Sequence, residues 1–236
     1  MKKLFFLFFI IIFLPLISAV DVAYVVKSDI NTNQEITNVF NELGYTSNII
    51  TENQVTSTDF NNYRLIVVGE GSFTNPGAIP IHDHNSLIIN KNHYSDDFGW
   101  SSFESSSGST TRLEQNTIQS PILNNIPVDF QAYSGGNTVT NVYFLTGSMP
   151  NGIVRLIKKQ GDTDIALAYV NPGTLMKNGK TAQKRSLFFY KLFGFLTSFF
   201  NLVTPQWIID ILTPVSTTQF SNISLYYLII AICRLF

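Results

Sequence analysis

Four short apolar runs constrain this chain more than any other feature. DVAYVV (21–26), TSNIIT (46–51), RLIVVG (64–69) and SLIIN (86–90) are each bounded by polar or turn residues. They are rich in β-branched side chains and too short to be helices, so they read as strands. INTNQEITNVFNELGY (30–45) lies between the first two. Its Ile36, Val39, Phe40 and Leu43 fall at i, i+3, i+4 and i+7, one face of a helix. Asn31 or Thr32 is placed to cap its start and Gly44 to end it. STDFNNY (57–63) reads as a short helical turn. Strand, helix, strand, turn, strand is the alternation of a parallel sheet with crossovers.

The second half follows another pattern. VDFQAY (128–133), NVYFLTG (141–147), GIVRLIKK (152–159) and DIALAYV (164–170) are strand-like runs at hairpin spacing, with QGDT (160–163) as a turn. NPGTLMKNGKTAQKR (171–185) is turn-rich and leads into another strand, SLFFYKLF (186–193). These runs predict antiparallel strands that extend or flank the parallel sheet. SDDFGWSSFESSSGSTT (95–111) reads as a long surface loop, with Phe98, Trp100 and Phe103 anchoring it, offered for stacking against a sugar, or forming a protein interface.

The ends speak to compartment. MKKLFFLFFIIIFLPLISAV (1–20) has two lysines, an apolar run, Pro15, then the small residues Ser18 and Ala19. This is the pattern of a secretory signal peptide over 1–19, and retention as an anchor is its alternative. A main domain over 20–203 and an apolar segment over 204–236 follow. Lys191 and Gly194 interrupt the 187–203 run, so strand plus loop or helix is expected there rather than a membrane span. The residues from Ile223 reach only about 21 Å as a helix, too short to span alone, and read as a buried element, an interfacial segment or a shortened anchor. Asn222-Ile223-Ser224 is a glycosylation sequon. The expected location is secreted or extracytoplasmic, with membrane anchoring as the alternative.

Charge excludes one class of partner. Charged residues make up 13% of the chain and its net charge is −1. Nucleic-acid binding needs clustered Lys and Arg, and the densest runs here are Lys158-Lys159 and Lys184-Arg185. The sole cysteine, Cys233, lies in the apolar tail, so no intrachain disulfide is possible.

A parallel sheet binds ligands beyond the carboxyl ends of its strands. Those ends carry Lys27-Ser28-Asp29, Glu70-Gly71-Ser72 and Asn90-Lys91-Asn92-His93. The candidate rim is therefore Asp29, Glu70, Gly71, Ser72, Asn90, Asn92 and His93. A serine triad of Ser72, His93 and Asp96 or Asp29 is disfavoured, because GEGSF does not place its serine at the strained centre of G-x-S-x-G. His82, Asp83 and His84 read as a solvated connector. The strand between His84 and His93 spans about 17 Å, which prevents the three histidines from sharing one ion. No metal site and no cofactor are expected.

YRLIVVGEGSF (63–73) resembles the turn after the third strand of class I glutamine amidotransferase-like proteins, within them the trehalose-utilisation-type domains. SPILNNIP (120–127) is similar to that family's HPI segment, and DIALAYVNPG with GKTAQKRSLFFYKLF to its closing hairpin and strand. The resemblance covers roughly Asp21 to Phe193. It implies a flavodoxin-like three-layer α/β sandwich with a mostly parallel sheet. Family members that hydrolyse glutamine carry a nucleophilic cysteine after the fourth strand, where this chain reads SLIINKNHYSDD, and Ser120 replaces the histidine of HPI. A thioester needs a thiolate beside a base. The resemblance without its nucleophile implies no glutaminase activity and no catalytic residue. The expected function is a non-catalytic extracytoplasmic binding or cell-envelope module, whose partner is a small molecule or a cell-envelope protein. The alternatives are an extracytoplasmic hydrolase or carbohydrate-active enzyme on the same rim, and a membrane-tethered protein-binding domain.

Overall fold

The structure is a computed structural model that describes residues 21–189 except 43, 70, 90–93, 95, 108–111, 119, 121–122, 124–127 and 132–141. The leader, the 204–236 segment, the Lys191–Gly194 interruption, the sequon and Cys233 lie outside those residues.

The apolar runs form strands because their side chains are buried on both faces of one sheet. β1 (Val22–Val26) and β3 (Leu65–Val68) are buried at every position. Such near-continuous apolar strands suit the centre of a parallel sheet. β2 (Ser47–Thr51) pairs parallel with β1, β1 with β3, and β3 with β4 (Ser86–Ile88). β2 lies at the edge and exposes Asn48 and Ile49.

Between β1 and β2 stands α1 (Gln34–Glu42), which turns Ile36 and Phe40 onto the sheet. Gly44 ends it as the spacing predicts: its φ is +82°, and the Tyr45 N–H returns to the Phe40 carbonyl at 2.9 Å. The start differs. Asn31 closes a 3-10 turn (Asp29–Asn31), and α1 begins only at Gln34, so neither Asn31 nor Thr32 immediately precedes the helix. The crossover from β2 to β3 consists of two 3-10 turns, Glu52–Ser57 and Phe60–Asn62, which bury Val55 and Phe60.

The second half continues the sheet. β5 (Phe103–Ser107), β6 (Arg112–Gln115), β7 (Asp129–Gln131), β8 (Val142–Thr146), β9 (Ile153–Lys159), β10 (Ile165–Val170) and β11 (Ser186–Phe189) complete an 11-stranded mixed sheet among the described residues. The main path runs β2-β1-β3-β4-β11-β10-β9-β6-β7, and β8 joins β10 to β5 off that path. The expected α/β class with a parallel first half and antiparallel additions is the architecture found. β9 and β10 form the hairpin around QGDT, with Gly161 at φ +72°.

Three expectations change. β11 is not a flanking antiparallel strand: it pairs parallel with β4 and antiparallel with β10, joining the two halves. β6 went unread because RLEQ has one buried position, Leu113, and no apolar alternation. Residues 95–111 are not simply a surface loop. Phe98 and Trp100 are buried, and Phe103–Ser107 pairs antiparallel with β8. A long-range partner supplies the ladder that a serine run does not announce locally. Phe103 itself remains 70% exposed.

Each face of the sheet has its own core. Val22, Tyr24, Val26, Leu65 and Val67 pack with Phe40 on one side. Ala23, Val25, Ile66 and Val68 pack on the other with Val55, Phe60, Ile79, Ile81, Phe98 and Trp100. Among the described residues the second cover is therefore built from 3-10 turns and an aromatic-anchored segment, not a helix. Two buried serines begin β4 and β11 side by side. Ser86 Oγ donates to Ser186 Oγ at 2.7 Å, and Ser186 Oγ donates in turn to the Ile81 carbonyl at 3.0 Å. Among the described residues no helix is long and apolar enough to cross a membrane.

Candidate functional site

β1, β2 and β3 point their carboxyl ends the same way, which brings three sequence-distant segments to one rim. β1 delivers Lys27, β2 delivers Glu52, and β3 runs through Gly69 and Gly71 to Thr74 and Asn75. The Thr51 N–H donates to Gln54 Oε1 at 2.9 Å, fixing the turn that carries Glu52.

The Glu52 carboxylate is enclosed by this rim. Its Oε1 accepts the Thr74 N–H at 2.5 Å and the Asn75 N–H at 2.7 Å. Its Oε2 pairs with the Lys27 ammonium, which also donates to Thr74 Oγ1 at 2.6 Å. The side chains of Lys27 and Glu52 are 33% and 16% exposed, so the pair is largely covered by protein. Burial alone would raise the Glu52 carboxyl. The Lys27 hydrogen bond and the Asn75 and Thr74 N–H groups outweigh it and hold the group below its ordinary value.

Both glycines of the turn make close approaches. A Cβ on Gly69 would run into the ring of Tyr24, and one on Gly71, whose φ is +129°, into Lys27 Cβ. Behind the loop, Tyr94 donates its hydroxyl to the Phe73 carbonyl at 3.1 Å, lies tilted against the Phe73 ring and meets Phe98 edge to face. Burial pushes the Tyr94 phenol up.

Of the seven rim residues expected from sequence, Gly71 packs on Lys27, while Asp29 and Ser72 are exposed. Glu70, Asn90, Asn92 and His93 lie outside the described residues. The proposed triad partner Asp96 is exposed on the turn before Phe98. Sequence reasoning missed Glu52 and Thr74. The signal for Glu52 was present: Thr51-Glu52-Asn53-Gln54 has the spacing of a capping box directly after a strand.

The histidine connector is solvated only in part: Asp83 is exposed and His84 half-buried, but His82 is not solvated. Ile79 and Ile81 bury the segment, and His82 is 4% exposed. Asn178 Nδ2 lies 3.2 Å from His82 Nε2 and donates to the Asp97 carbonyl at 2.9 Å. Asn178 thus ties the 171–185 excursion to both the connector and the Trp100 segment. Among the described residues no three His, Cys, Asp or Glu side chains gather as a metal set.

Burial, then the nearby Lys180 charge, lowers His82, against the opposing pull of Asp83 and the Phe98 carbonyl. Burial lowers His84 also. A histidine kept neutral by folding takes up protons more readily when unfolded. Stability is then full above the ordinary value of 6.5 and declines as pH falls below it. Glu52 adds a second decline below its ordinary 4.5. Urea unfolding across pH should show both limbs, and His82→Gln should flatten the upper one without abolishing it, since His84 still titrates.

The chain matches no protein-family profile and no curated protein. Solved structures similar to it include a glutamine amidotransferase from Thermotoga maritima, at 11% identity and a TM-score of 0.46 over 92% of this chain and 91% of that one. A glutamine amidotransferase from Methylobacillus flagellatus matches at 9% identity and 0.44, over 90% of its length. The carbohydrate deacetylase Agd3 matches at 11% identity and 0.44 over 78% of this chain, which spans 31% of that protein.

Proposed function

We propose that this chain is a non-catalytic extracytoplasmic binding or cell-envelope module on an amidotransferase-like α/β fold. The observation that carries the reading is the absence of a thiol where the resemblance requires one. SLIINKNHYSDD follows the fourth strand's start without a cysteine, and the chain's only cysteine is Cys233. Rim chemistry supports it. The described acid and base nearest the strand ends, Glu52 and Lys27, neutralise each other instead of facing a reacting group. The leader pattern supports export, and the trehalose-utilisation-type likeness of the motifs remains part of the same reading.

The test is turnover by the purified full-length chain on glutamine, on ester substrates and on acetylated and plain glycans. No rate above buffer is expected. A hydrolytic rate abolished by Glu70→Ala or His93→Ala would overturn the proposal and make the protein an extracytoplasmic hydrolase of the same rim.

A further inference from the structure

The geometry points to a carboxylate-binding cradle at the carboxyl rim of β1, β2 and β3, filled by the chain's own Glu52. Two backbone N–H groups, of Thr74 and Asn75, converge on one oxygen, and the Lys27 ammonium, itself held by the Thr74 hydroxyl that accepts from it, meets the other. That donor set fits a planar anion with two oxygens: one takes the paired N–H groups, the other the ammonium. It is built from three chain segments rather than one loop. Glu52 reaches it from a turn fixed by the Thr51–Gln54 hydrogen bond. The external ligand class is therefore a small carboxylate, and Glu52 is its built-in competitor.

An intramolecular carboxylate competes at a high effective concentration, so free carboxylate does not displace it at ordinary millimolar levels. The wild-type rim is self-liganded, and a carboxylate ligand enters only when the Glu52 turn moves away. This inference deepens the binding reading above and rests on it only in treating the rim as a place for a ligand. Turnover would sink that reading and leave the following result unaffected.

The experiment compares urea unfolding of full-length wild type, Glu52→Ala and the double variant Lys27→Met/Glu52→Ala in sodium acetate against sodium chloride at equal ionic strength. The methionine retains the Lys27 Cβ that packs on Gly71. Wild type is expected to respond equally to both salts. Acetate at 100 times its dissociation constant should lower the unfolding constant of Glu52→Ala about a hundredfold, and that gain should disappear in the double variant. Equal acetate effects on wild type and Glu52→Ala, or no effect on either, would overturn the inference. Stabilisation of Glu52→Ala by phosphate but not acetate would overturn the carboxylate assignment. If Glu52→Ala does not fold without added anion, its refolding yield against acetate reads the same cradle. No acetate-dependent recovery would then count against it.

Discussion

Replacing Trp100 with alanine is expected to destabilise the protein by about 3–5 kcal/mol, read as a lower urea midpoint at unchanged slope. Trp100 is among the largest fully buried side chains, and its ring centroid lies 5.3 Å from that of Phe188 on β11. The indole covers the sheet face where a doubly wound fold would place a helix. Its removal leaves a cavity under a segment that cannot collapse freely, because Lys177 N–H and Asn178 hold the same turn through the Gly99 and Asp97 carbonyls. Among the described residues the indole N–H has no hydrogen-bond partner. Trp100→Phe should therefore retain most of the stability, since it keeps an aromatic ring and discards only an unused donor. A Trp100→Ala protein as stable as wild type would show that the 95–103 segment does not anchor to the sheet.

Gly69→Ala and Gly71→Ala are expected to cost about 1–3 kcal/mol each by overpacking. The ring that Gly69 touches belongs to Tyr24, which is fully buried and whose hydroxyl accepts the Asn33 N–H at 3.2 Å. It has nowhere to retreat. Gly71 adds a positive φ to its contact with Lys27, so its substitution should be the worse of the two. Gly161→Ala is the control: its φ is +72° but nothing lies within 4 Å of a new Cβ, leaving roughly 1–2 kcal/mol of left-handed strain alone. Unfolding midpoints ordered Gly71, Gly69, Gly161 from most to least damaging would confirm that close approach governs the turn. Equal effects at all three would reduce the GEG turn to backbone flexibility.

Part of this architecture follows from sequence alone. β1 and β3 were legible because strands buried on both faces must be apolar at every position, and VAYVV and LIVV are. α1 was legible from its apolar spacing, and its end from Gly44. The parallel order of the first strands followed from their alternation with a helix and turns, and the absence of a thiol after the fourth strand is a plain reading of the chain. What needed the tertiary structure depends on partners distant in sequence. SLFF looks the same whether it pairs parallel or antiparallel, and only β4 and β10 on either side decide it. FESSS becomes a strand because β8 supplies its ladder. His82 is buried because Ile79 and Ile81 carry it under the sheet, although HDH suggests a wet loop. Glu52 reads locally as a turn residue. It becomes the rim's anion only when parallel pairing brings the ends of β1, β2 and β3 together, placing Lys27, Thr74 and Asn75 around one carboxylate. Local periodicity records what each segment buries; charge pairing across a sheet edge depends on where the other segments end.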